Sequence, residues 1–173
     1  MSFKKIVKYV IAGIFCNLFR LLHIPNADPI MGTMLPFAKR DNGLSAGIFA
    51  FITMFSFDII TNKVGIWTIV TATTFGLLGW FFAYIYRNKE RLTLLNYITG
   101  GVFGVLIFDF ITGPIMSSFL FHMSFIVAFV GQIPFTLLHL ATVCIFIIVL
   151  VPMLDKYLIN TKTKVNIGIP TLN

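Results

Sequence analysis

The sequence predicts an all-α fold: an integral membrane bundle of six transmembrane helices with a re-entrant or capping segment on its outer face. Three observations point there. The 173-residue chain is 58% hydrophobic and only 11% charged, with a mean hydropathy of +0.94, whereas soluble domains run near 45–50% apolar and about 25% charged. The apolar residues fall in long uncharged runs divided by short polar breaks. The basic residues sit in those breaks, so the formal charge of +7 reads as topogenic charge facing anionic lipid and not as a nucleic-acid surface. An ordinary soluble enzyme, a disordered tail and a disulfide scaffold are excluded. Cys16 and Cys144 each lie in an apolar run without a CxxC, so neither a disulfide nor a metal site is expected.

The first span is read over residues 6–22, with Lys8 and Arg20 near its ends, where both can snorkel to an interface. Its lysine-rich start resembles a signal peptide. No small-x-small cleavage site follows, so the run is expected to remain as a helix. Pro25-Asn26-Ala27-Asp28-Pro29 makes chain reversal cheap. A short second span covers residues 30–38 and stops at Lys39-Arg40-Asp41-Asn42-Gly43. The third, residues 44–57, ends at Asp58. The fourth, 66–86, and the fifth, 92–108, are uncharged and flank the basic loop 87–91. Residues 110–154 carry no formal charge. Gly113-Pro114 and Gly131-Gln132-Ile133-Pro134 punctuate them, and proline lacks an amide donor. These marks predict a capping segment at 114–130 and a last helix at 133–155. Residues 1–160 would then form one membrane domain, followed by a polar cytoplasmic tail at 161–173.

With both termini in the cytoplasm and six crossings of the cell membrane, eleven basic residues fall inside and only Arg20 and Lys63 outside, a strong positive-inside bias. The same threading puts Asp28, Asp58 and Asp109 at the outer ends of helices, in one layer with His23, Asn26, Trp67, His122 and His139. Polar groups are expensive in lipid and usually face a cavity or a partner. An outward pocket using Asn26, Asp28, Asp58, Trp67, Asp109 and His139 is therefore expected, against the plainer reading that Asp28 and Asp58 cap helices. Asp109, between Phe108 and Phe110, is the strongest member. Three acids against two bases make this layer slightly negative, which favours a neutral or cationic ligand. Phe57-Asp58-Ile59-Ile60-Thr61 is echoed by Phe108-Asp109-Phe110-Ile111-Thr112 at a spacing of 51 residues, as a duplicated hairpin would be.

Catalytic signatures are missing. There is no GxxxxGK[ST], no HExxH and no pair among His23, His122 and His139 at helical i,i+4 spacing. Ser117, Ser118 and His122 lack the GxSxG elbow of a serine hydrolase. No enzyme activity, cofactor or metal is expected. On the first helix Ala12 and Cys16, with Gly13 beside them, form a small-xxx-small pair that allows close approach, either within the bundle or to another membrane subunit.

Three stretches resemble the substrate-binding S components of energy-coupling factor (ECF) transporters, the vitamin-uptake ABC systems. Ile24-Pro25-Asn26-Ala27-Asp28-Pro29 is similar to the family's PN-x-[DE]-P turn. Gly65-Ile66-Trp67-Thr68 with Gly76-Leu77-Leu78-Gly79 is similar to its GPWT…GLxG segment. Ile133-Pro134-Phe135-Thr136-Leu137-Leu138-His139 with Pro152 is similar to its PFxxxH start and proline-containing end of the last helix. The chain departs from the family at Ile66, where Pro is frequent, and at Thr71, where some members have Gln. Cys16 replaces the second Ala of the AxxxA docking pattern. The resemblance implies capture of a micronutrient from outside, a vitamin or vitamin-like compound such as a corrinoid. Partners would be a transmembrane T component, met through Ala12, Gly13 and Cys16, and two ABC ATPases whose ATP hydrolysis topples the protein to release its load. A cobalt or nickel S component is disfavoured because Ser2 stands where that group has a histidine. The competing reading is a structural or assembly membrane protein without a ligand, whose outer acids would all point to water.

Overall fold

The computed structural model describes residues 3–40 and 43–154. The expected tail at 161–173 lies outside the described residues, as do Asp41, Asp155 and Lys156. The described chain is helical throughout its elements: α1 (Phe3–Arg20), α2 (Ile30–Arg40), α3 (Gly43–Ile60), α4 (Ile66–Tyr86), α5 (Leu94–Phe110), a π-helical turn (Ile111–Ile115), α6 (Met116–Phe121) and α7 (Phe125–Met153).

Three helical stretches are long and apolar enough to cross a membrane: α4, the rod Leu94–Phe121 formed by α5, the π turn and α6, and α7, of 21, 28 and 29 residues. At 1.5 Å per residue these run roughly 31 to 44 Å, against a hydrocarbon core of about 30 Å. The other predicted crossings are shorter or carry charge. Between Leu44 and Ile60, α3 is apolar but short. Lysines open α1, and α2 has 11 residues.

One predicted boundary is corrected. The chain does not break at Gly131–Pro134; α7 passes through both. The break lies at 122–124, where His122 takes a left-handed conformation (φ 53°) and its N–H closes on Ser117 O. Residues 114–130 are therefore not a separate capping segment. Their first part prolongs α5 and their second part opens α7. Proline is tolerated inside long membrane helices because neighbouring groups and local turn adjustments satisfy the freed carbonyl, so Pro134 is a poor stop signal in this setting. Pro114 leaves its mark differently, inside the wide π turn.

The short α2 is the centre of the molecule. Every residue from Ile30 to Ala38 is buried, and α2 packs against α1, α3, α4, α5 and α7. A helix apolar on all sides belongs in a core. Phe37 packs against Tyr9 of α1 in a tilted contact and edge-to-face on Phe49 of α3, at ring separations of 4.4 and 5.0 Å. Around this pin, α3 and α4 touch backbone to backbone. A Cβ on Gly47 would lie 2.7 Å from Gly76 O, and one on Gly79 would lie 2.9 Å from Ala46 O, so only glycine permits this approach. Ala12 and Cys16 are also in the core, at 2% and 0% exposure, with Cys16 Sγ 3.4 Å from Thr33 Oγ1 of α2. Of the two arrangements open to this pair, the fold adopts internal packing. It does not leave Ala12 and Cys16 free for a second subunit, and half-buried Gly13 lines a groove between α1 and α3.

The two ends of the bundle differ in charge. Lys39 donates to the carbonyls of Tyr86 and Lys89, so Lys39, Arg40 and the loop carrying Arg87, Lys89 and Arg91 gather at one end. The turn after α1, the end of α3 and the π turn gather at the other. Large apolar side chains such as Ile126 and Leu137 are exposed along the flanks, as a lipid-facing surface requires.

Candidate functional site

The end away from the basic loops is partly covered by the turn between α1 and α2. His23 and Asn26 both adopt positive φ, 54° and 57°, a region Asn and His enter more readily than most residues. Asn26 Nδ2 donates to Phe135 O at 3.2 Å, and Thr142 Oγ1 donates to Asn26 O at 2.6 Å. Two bonds thus strap the turn onto α7. Asp28 Oδ1 accepts from Ile30 N at 2.8 Å, which satisfies an otherwise orphan donor at the start of α2.

Beneath this roof lies a cavity of about 480 Å³. Arg20 of α1, Asn26 and Asp28 of the turn, Thr71 of α4, and Gln132 and His139 of α7 supply most of its polar lining; Met54, Phe57, Phe108 and Phe135 supply apolar wall. The Arg20 guanidinium lies 4.0 Å from the centre of the Phe57 ring, a cation–π contact, with Nη1 3.1 Å from Met54 Sδ. His139 Nδ1 is 2.8 Å from Asp109 Oδ1, both side chains being almost wholly buried. This contact engages Nδ1 and leaves Nε2 as the second polar atom of the ring. The result is a histidine of fixed orientation in the wall of a compact cavity, a size range typical of small-molecule sites.

The six predicted site residues separate into two groups. Asn26, Asp28 and His139 line the cavity, and Asp109 stands directly behind His139. Asp58 and Trp67 are not among its walls. Asp58 Oδ2 accepts from Thr68 Oγ1 at 2.6 Å, and Thr68 Oγ1 accepts from Gly65 N at 3.0 Å. This chain of bonds locks the end of α3 to the start of α4. Trp67 Nε1 donates to Lys63 O at 3.1 Å, and its ring lies over Gly65, the posture of an interfacial anchor. With Asp58 and Asp109 behind the walls, the formal charges lining the cavity are one base, Arg20, and one acid, Asp28. The slightly negative layer predicted from sequence becomes a balanced pocket.

Sequence reasoning passed over Arg20, Thr71 and Gln132. Arg20 looked like a snorkelling end residue, though a charge within a span in the same layer as Asp28 is itself a functional signal. The sequence echo has a structural counterpart: Phe57 and Phe108 both line the cavity, and Thr61 and Thr112 each donate back to the carbonyl of their Phe, at 2.9 and 2.8 Å. Among the described residues no group of three or more His, Cys, Asp or Glu side chains gathers to hold a metal ion. Comparison with protein-family models, with curated proteins and with solved structures finds no match.

Proposed function

We propose that this protein is a membrane-embedded substrate-capture subunit of the ECF S-component type, which takes up a compact vitamin or vitamin-like compound for a T component and two ATPases. In this reading the chain crosses the membrane six times, with α2 as a short crossing shielded from lipid, and the cavity opens outward. The observation that supports it most is the cavity itself. It brings the residues of the PN-x-[DE]-P-like turn, Asn26 and Asp28, against the histidine of the PFxxxH-like segment, His139. Three motifs far apart in sequence then serve two places: the first and last form the cavity, and the Gly76/Gly79 segment packs α4 on α3. The balance of Arg20 and Asp28 favours a neutral or zwitterionic ligand. A volume near 480 Å³ favours one smaller than a corrinoid, which would have to displace the roof. An assembly protein without a ligand would leave its outer acids in water, whereas Asp58 and Asp109 are 8% and 1% exposed. The test is to purify the chain in detergent and identify by mass spectrometry any small molecule released on denaturation. A stoichiometric compound that rebinds the wild type and binds Arg20→Gln at least about tenfold more weakly, about 1.4 kcal/mol, supports the reading. Preparations from rich medium that release nothing in stoichiometric amount overturn it.

A further inference from the structure

A second cavity, of about 380 Å³, opens on the flank of the bundle between α5 and α7. Leu106, Phe110, Phe129 and Leu137 contribute to its apolar walls, and Asp109 is the one formally charged side chain that lines it. One oxygen of this carboxylate, Oδ1, is engaged by His139 on the side of the end cavity. The other, Oδ2, is buried and accepts no hydrogen bond from any described residue. A buried carboxylate oxygen without a donor is strongly unfavourable, so this atom is a standing demand for an N–H or O–H. No Lys or Arg lines the cavity, and the Gln132 and Thr136 side chains that do line it make no hydrogen bond to this oxygen. Two of its walls are aromatic: the Phe110 and Phe129 rings stand 6.4 Å apart at 82°, with Phe125 completing a trio. Ring faces attract cations, ammonium groups among them. A hydroxyl would answer the hydrogen-bond demand but not the charge; a protonated amine answers both. Leu137 is largely exposed on the apolar flank, so the approach to the cavity runs along the lipid-facing surface.

We propose that this flank cavity binds the primary ammonium head of an amphiphile, with N–H donated to Asp109 Oδ2, the charge beside Phe110 and Phe129, and the apolar chain laid along α5 and α7. The same head chemistry is offered by a free long-chain amine and by a phosphatidylethanolamine headgroup. The two cavities share Gln132 and meet at the Asp109–His139 pair, but Leu106 and Leu137 line the flank cavity alone, so a change at Leu137 tests this site apart from the transport reading.

The test uses the full chain in nanodiscs of phosphatidylcholine, whose quaternary head has no N–H, with a dodecylamine carrying a photoreactive diazirine on its chain. Cross-links mapped by mass spectrometry should fall on α5 and α7 around this cavity, and dodecylamine should compete at least tenfold better than dodecanol. Asp109→Asn should cut labelling about tenfold. Leu137→Trp, which fills the cavity from an exposed position, should do the same without touching the carboxylate, and so decides the matter if Asp109→Asn folds poorly. Thr71→Trp, in the end cavity, should leave labelling unchanged. Adding phosphatidylethanolamine to the nanodisc identifies the source: suppressed labelling assigns the site to the lipid head, and undiminished labelling to free amines. Labelling that persists in Leu137→Trp, or equal competition by dodecanol, overturns the proposal. Either result leaves ligand capture in the end cavity intact.

Discussion

Asp58 and Asp109 sit in the same local sequence, yet the fold gives them different partners. Asp58 meets a hydroxyl ten residues on, across a tight turn, and becomes a brace between α3 and α4. Asp109 meets an imidazole thirty residues on, because α5 and α7 pack side by side. That a carboxylate between two phenylalanines needs a partner is readable from residue types alone. Which partner it finds depends on helix pairing and rotation, which no local pattern encodes, and Trp67 and Asp58 were drawn into the same expected pocket for want of that information. Thr68→Val should leave the Asp58 carboxylate short of its closest donor and cost about 1–3 kcal/mol. Thermal unfolding of the purified protein checks this, with Thr68→Ser keeping most of the loss from appearing. His139→Phe should lower affinity for the captured compound about tenfold in a titration of the purified variant, and should also lower the unfolding midpoint, since it leaves Asp109 Oδ1 without its partner.

At the scale of elements, helix placement was legible where a long apolar run was bounded by charged loops, and was misread in the uncharged stretch 110–154. The run boundaries of the fourth helix match α4, because an uncharged 21-residue stretch between polar loops has no other stable form in lipid. Proline misled where it lay inside a membrane helix, and a left-handed histidine ended a helix that nothing in the composition marks. Small residues were correctly read as contact points, but their contact lies inside the chain. Ala12→Leu and Cys16→Leu should each destabilise the isolated protein by about 1–3 kcal/mol through overpacking of the core, seen as a lowered midpoint in thermal unfolding without any partner present. Gly79→Leu should be worse, because its side chain would have to displace the backbone of α3 at Ala46 and Gly47; loss of monodisperse protein in size exclusion is the expected outcome, with Leu77→Ala on the exposed side of the same helix as the neutral control.

For the whole molecule, the separation of the basic loops from the cavity predicts a definite orientation. On a background of Cys16→Ala and Cys144→Ala, a cysteine at position 122 should react with an impermeant maleimide in intact cells, and one at position 89 should react only after the membrane is opened. The reverse pattern would turn the cavity toward the cytoplasm.

The full enclosure of α2 also bears on how the protein is made. An 11-residue segment spans roughly 16 Å, about half a bilayer core, and it has no lipid-facing side on which to rest. Its enclosure is complete only once α4, α5 and α7, which it packs against, have been made. Chains cut short after residue 64 should therefore leave α2 exposed to protease while the full chain protects it. The last-synthesised helix would then set the moment at which the centre of the protein closes.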